Sequence, residues 1–569
     1  METGFDWSPR RLSVRGQPFA GGEVDVEVVL SGGRAESRDR DATEVREVGE
    51  GLFFPADGSL PVAFHEQLVA YWRTRGRPAE IASAPGGPIR IQSRANQQID
   101  VAGRTVMLER LSIEGPVWGS QTAWVEPGGR LDALATWVGG LPLEAVREGF
   151  ESRLAYFADQ AVQDRLMDLG RLTSSNLTEY PSGVVFTGAT VIVSPARPPM
   201  TDATVVVRDG RIAAVGPSTR VSPPAGLPVI DAQGLTIAAG LWDLDGQMSQ
   251  IEGAAAYLAA GVTTVRHTSL DGTFASALRV DAAARSRGLL GPRMLQAGLI
   301  HGVGADGLGA VRVETPDQAR EWVRRYRNDG IRRIETGPSV SGPVLEAIVR
   351  EAHRLGLTVG GRVADGAAAA QAAQAGLDLI EAPAAIGDGA GEPTWLAALA
   401  REGTFFAPEA AWHELRNAGS VERLAEPWLP AGLQLPRSLV RRYARISSPG
   451  GAPGATFQTL IAAARRAGVR LVPGTGPGIP GLGVVRELEL LVEAGLTPAD
   501  ALQAGTVDAA ELMKLDDGGT VESGKRADLI VLAANPLDDI SNLRTVRWVV
   551  VDGKVYEAAT LWALAGFGN

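Results

Sequence analysis

The chain has 569 residues and a formal net charge of −11, which is enough for two or three domains with real cores. The acidic balance excludes nucleic acid and anionic membrane surfaces as expected partners, because both need basic patches. No cysteine is present, so disulfides, thiolate metal sites and a cysteine nucleophile are excluded.

Residues 1–150 read as an N-terminal α+β domain. Short alternating runs, Val24 to Leu30 and Arg104 to Leu108, predict strands. Leu60 to Trp72 predicts a helix, and Trp118 and Trp124 lie in a further strand-like run with a Gly128-Gly129 turn after it. Residues from about 143 to 175 are helical in pattern and give a linker over 151–183, with a polar hinge from Thr173 to Gly183. Met1 to Arg15 has no apolar core of a signal peptide, so a cytoplasmic location is expected; an exported, processed form would look the same. No run of the length a membrane span needs is present.

From Val184 to Ile192 a strand is predicted, followed by a hairpin over Ala203 to Gly216 with Asp209-Gly210 at its turn. Gly524 to Leu532 and Val546 to Val555 repeat this style near the other end. Segments 184–237 and 516–558 are therefore expected to meet in one composite β-sandwich. It encloses 238–515, and 559–569 is left as a tail. The interior alternates short apolar β runs, such as Gly261 to Arg266, Ile331 to Thr336, Thr358 to Val363 and Val469 to Gly474, with Ala-rich helical stretches. That rhythm, at about eight units and ~250 residues, predicts a (β/α)8 TIM barrel. The fold class is α/β.

The segment Ala238-Ala239-Gly240-Leu241-Trp242-Asp243-Leu244-Asp245-Gly246-Gln247 is similar to the strand-one motif P-G-h-h-D-x-H-x-H, where h is apolar. Gly261-Val262-Thr263-Thr264-Val265-Arg266, Gly291-Pro292-Arg293, Ala494-Gly495-Leu496-Thr497-Pro498 and Asn535-Pro536-Leu537 accompany it. On these motifs the stretch 184–556 resembles the amidohydrolase superfamily, in its imidazolonepropionase and Xaa-Pro dipeptidase-like branch. The resemblance implies metals at the C-terminal mouth of the barrel. Two histidines from strand one, a carboxylated lysine from strand four, histidines from strands five and six and an aspartate from strand eight would hold them. Here those six positions carry Asp245 and Gln247, Glu335, Arg362, Ala382 and Gly476. No cofactor and no metal ligand is expected from such a set. Arg362 brings a permanent cation to the place of the metal, and its expected partner is Asp245, Glu335 or both.

Asp245, Glu335, Arg362 and His267 are therefore the candidate catalytic residues. Gln247, His301, Glu381, Glu409 and His413 are the candidate substrate-binding residues around them. Asp243 matches a carboxylate present in active relatives and discriminates nothing. Three readings stay open. The first is a pseudoenzyme that binds or regulates an active amidohydrolase paralogue, in a homo- or hetero-oligomer. The second is a metal-independent isomerase, cyclase or lyase acting on a small molecule by acid–base chemistry. The third is a hydrolase with a carboxylate-based metal site made of Asp243, Asp245 and Glu335.

Overall fold

A computed structural model describes residues 2–568 apart from 4–8, 17–23, 40–41, 49–51, 57–60, 85, 139–140, 177–179, 181, 249, 270–287, 304–310, 341, 382–392, 418–427 and 447–453. The N-terminal domain holds two five-stranded antiparallel meanders, over residues 2–47 and 90–146. Alternating side chains of both sheets, among them Val26, Val28, Ile91, Leu111 and Ala123, enclose one core with the helix Phe64–Thr74. Residues 143–146, expected as helix, belong to the strand Leu141–Val146, which pairs antiparallel with Leu131–Val138. The cross-strand partner decides the conformation there, against a helical spacing of apolar residues. The linker helix runs Leu154–Asn176, so its last turn occupies the start of the expected hinge. Its Phe157 and Ala161 cover the second face of the Leu131–Val138 sheet, against Trp124 and Leu108.

The composite sandwich is one eight-stranded sheet. Thr236–Ala239 pairs antiparallel with Leu529–Leu532 and joins the two distant halves around a core that includes Val205, Ile237 and Val531. Asp209 and Gly210 both have positive φ, 51° and 71°, as a tight hairpin turn requires. The sandwich reaches to Ala239, two residues beyond the expected boundary.

The barrel has seven regular parallel strands. They are Leu241–Gly246, Val262–Ser269, Arg293–His301, Arg333–Thr336, Thr358–Arg362, Leu379–Glu381 and Phe405–Ala407. The eighth segment, about 470–476, closes the ring by few bonds. Val472 N–H donates to Phe406 O on one side and Leu244 N–H to Pro473 O on the other, and Gly246 bridges Gly476. Strands one, three, six, seven and eight contribute Trp242, Leu244, Leu295, Leu379, Phe405 and Val472 to an apolar cluster with Ala509 to Met513. Polar side chains come from the strand ends beyond it.

Residues 559–569 are not a tail. The helix Ala558–Leu564 buries Leu561 and Trp562 in the main core and packs on the helix Ile251–Ala259. Trp118 Nε1 donates to Ala565 O at 2.9 Å, so the N-terminal domain rests on the same corner.

Candidate functional site at the barrel mouth

Two arginines organise the C-terminal ends of the strands. Arg266 ends strand two and is 1% exposed. It donates to Leu244 O at 2.8 Å and to Glu381 at 2.6 Å, and it is ion-paired with Glu335. Strand five leaves room for this reach, since a Cβ at Gly360 would stand 2.8 Å from Arg266 Nη2. Arg362, at the end of strand five, is half-buried. It donates to Asp245 at 2.5 Å, contacts Glu409 at 2.9 and 3.2 Å, and has Glu381 at 3.7 Å from its Nε. The expected pairing of Arg362 with Asp245 is present, whereas Glu335 pairs with Arg266 instead. Strand four places Glu335 beside strand two's arginine, a neighbour that spacing along the chain does not reveal.

Glu409 has a left-handed backbone, φ 51°, immediately after strand seven and before the helix Ala410–Asn417. Its carboxyl occupies the space that a side chain at position 476 would claim: a Cβ at Gly476 would lie 3.0 Å from Glu409 Oε2 and 3.7 Å from Arg362 Nη2. The lack of a side chain on strand eight is thus filled from strand seven. The turn that aims Glu409 is held by Glu487, a fully buried carboxyl that accepts from the N–H groups of Ala410 and Ala411 at 3.1 and 2.7 Å. Burial pushes Glu487 up to about 8.

Asp243 forms a separate layer. It accepts from Thr475 Oγ1 at 2.5 Å and from the backbone N–H groups of Thr475 and Asp245 at 3.2 Å each. Burial, opposed by the Thr475 hydroxyl, carries its pKa up to about 7. Burial and then the nearby Glu381 raise Asp245, and burial raises Glu409 well above the carboxylate range despite Arg362. Five carboxyls face two guanidiniums in this volume, which disfavours ionising all of them together.

The remaining candidates have other contacts. His267 Nδ1 lies 3.2 Å from Gly246 O, and desolvation holds the ring below the ordinary histidine range. His301 is buried against Gly337, whose Cβ would lie 2.2 Å from its Nδ1. His413 stacks on Phe457 with centroids 4.0 Å apart; burial, then Arg416 and Arg362, bring it down to about 4. Gln247 is half-buried at the start of the loop after strand one, and Ala382 lies outside the described residues. Arg266, Thr475 and Glu487 were not singled out as site residues from the sequence. An arginine closing the β-branched run Val262 to Val265 is the one signal that could have marked Arg266.

Asp245, Glu381 and Glu409 bring one carboxylate oxygen each within 4.8 Å of one another, the one group among the described residues with the geometry to hold an ion. The carboxylate set expected for the third reading, Asp243, Asp245 and Glu335, is not this group, because Asp243 is spent on Thr475 and Glu335 on Arg266. Arg362 makes its contacts to the same three carboxylates. The Arg362 guanidinium already supplies a positive charge to these carboxylates, and an ion would have to compete with it for them.

The family model for the amidohydrolase family matches residues 250–556. A solved structure described as a "putative prolidase" from Bifidobacterium longum is 25% identical, with a TM-score of 0.54, over 68% of this chain and 99% of that one. A bottromycin amidohydrolase structure is 23% identical with the same TM-score, over 72% of this chain and 95% of that one, a likeness of fold. Among curated proteins, adenine deaminase 2 of Rhizobium etli is 42% identical over 65 residues, 11% of this chain and only 10% of that protein's length. No helix among the described residues is long and apolar enough to cross a membrane. With the barrel, the sandwich built from both of its flanks and a family model spanning more than half of the sequence, the chain belongs to the amidohydrolase family.

Proposed function

We propose that this chain is an amidohydrolase-fold protein without the family's metal site and metal-dependent hydrolysis, acting as a binding or regulatory partner of an active paralogue. The observation that carries the reading is the guanidinium of Arg362 lying between Asp245 and Glu409 at 2.5 and 2.9 Å. A tethered cation neutralises the carboxylates that a bound ion would otherwise need, and Glu409 supplies from strand seven the acid that Gly476 lacks. The metal-independent acid–base alternative needs a carboxyl within reach of substrate. Asp245, Glu335, Glu381 and Glu409 are each at most 3% exposed, beneath Arg362, which favours the binding reading.

Metal content of the purified protein tests the proposal. Below about a tenth of an equivalent of zinc, manganese and iron together is expected, with no change in Tm on adding a chelator. About one or two equivalents, or a chelator-sensitive Tm, would overturn it. Dipeptides ending in proline, suggested by the prolidase-like neighbours, should not be turned over with or without added divalent ions. Slow turnover that is indifferent to chelator would move the assignment to the acid–base alternative.

A further inference from the structure

Among the described residues, the N-terminal domain contacts the barrel at the start of the helix after strand one and at the helix Arg437–Ile446, on either side of the closing seam. Helix Ile251–Ala259 starts just after strand one, at Gln250. Gly119 of the N-terminal domain, with φ 91°, presses on that start: a Cβ there would stand 2.7 Å from Gln250 Oε1 and 2.7 Å from Glu252 Oε2. Trp118 covers Gly253 beside it, 3.7 Å from where its Cβ would be. On the other side, Glu44 of the N-terminal domain pairs with Arg437 at 3.1 Å and Arg441 at 3.2 Å. The same helix, Arg437–Ile446, carries Tyr443, which donates to Gly478 O at 2.7 Å in the loop after strand eight.

Gln250 is 4% exposed, and neither atom of its amide has a hydrogen-bond partner; nor does Glu252 Oε2. Gln250 Oε1 and Glu252 Oε2 thus both face Gly119, and as they are oriented a proton is needed to join them. We propose that the N-terminal domain clamps the barrel's closing seam, and that a protonated Glu252 donating to Gln250 Oε1 against Gly119 fastens the clamp. The surroundings agree with a held proton. Burial brings Glu252 up to about 7 against a hydrogen bond from its own backbone N–H; Glu114 from strand Arg104–Glu114 and Asp168 from the linker helix add to the rise, and Arg165 of the same helix opposes it. When Glu252 ionises, its charge faces those two acids across the interface, and the junction loosens.

Hydrogen–deuterium exchange of the full chain, corrected for intrinsic rates, tests this at peptides covering 116–122, 250–258 and 474–482. Between about pH 6 and about pH 8.5, opening at the first two should rise about tenfold, as expected when a carboxyl of pKa about 7 returns to the ordinary range on opening. Glu252→Gln, which keeps a donor in place without the charge, should remove most of that rise. Gly119→Ala and Gln250→Ala should open all three peptides already at about pH 6, and either suffices should the other fail to fold. Wild-type exchange indifferent to pH at 116–122 and 250–258 overturns the proposal. A Glu252→Gln variant with the wild-type pH response does so as well, since it assigns the proton to another buried acid such as Asp243. Protection at 474–482 untouched by Gly119→Ala overturns the clamp.

Discussion

Arg266 and Arg362 are both held by carboxylates, yet they differ in what their loss would leave behind. Arg266 is enclosed, and its removal leaves Glu335 without its cation and Glu381 with only Arg362, 3.7 Å away. Arg362 has one side toward the mouth, so water can reach part of what it abandons. Breaking a buried pair costs about 3–5 kcal/mol. Arg266→Met is therefore expected at the upper end of that range and Arg362→Met at or below about 3 kcal/mol. Calorimetric Tm values of the two variants check the order; equal losses would mean that Arg362 is as enclosed as Arg266. Gly360→Ala should mimic a mild form of the Arg266 change, costing about 1–3 kcal/mol by pressing a methyl against Nη2.

At the scale of elements, the helix Ala410–Asn417 depends on a residue from a different helix, Leu482–Glu493, for its first turn. Glu487→Ala leaves the Ala410 and Ala411 N–H groups without their acceptor, at about 1–3 kcal/mol. Its signature should be local, with faster amide exchange at 409–413 and little change in the sandwich. Uniformly faster exchange would make Glu487 a general core residue rather than the holder of this turn. The same region marks where sequence reading stops. The strand-one segment, the alternation of strands and helices and the Asp209-Gly210 hairpin are local patterns, and each appears in the fold where it was expected. Arg362 was legible through the resemblance, which places it at the end of the strand-five run Thr358–Arg362. Glu409 filling the space at Gly476 was not, because it depends on a left-handed turn and on reach between adjacent strands. Residues 143–146 read as helix because their sheet partner is invisible to periodicity. The C-terminal helix was missed because eleven residues give too short a pattern for its packing partner to be inferred.

Buried carboxyls with raised pKa are spread over the molecule. Asp243 and Glu252 lie at about 7 and Glu487 at about 8. A group whose folded pKa exceeds its unfolded value contributes its stability below the unfolded value, near 4, and loses it as pH rises through the folded one. Between about pH 5 and about pH 8 each group therefore lowers stability by up to about 1.4 kcal/mol per pH unit. The Tm should peak on the acid side of neutrality and fall toward pH 8. A Tm that is flat or rising over this interval would show that these acids are ionised in the native state, with compensation from solvent or neighbours.

The pairing of Thr236–Ala239 with Leu529–Leu532 has a consequence for how the chain is made. The two strands are about 290 residues apart. At synthesis rates of ~5–20 residues per second, the first waits on the order of 15–60 s for the second to be translated. Through that interval the growing chain presents an apolar, unpaired β-edge, Ile237 among it, while the barrel assembles behind it. Nascent chains of this protein should be strong clients of ribosome-associated chaperones until residue 532 has cleared the exit tunnel.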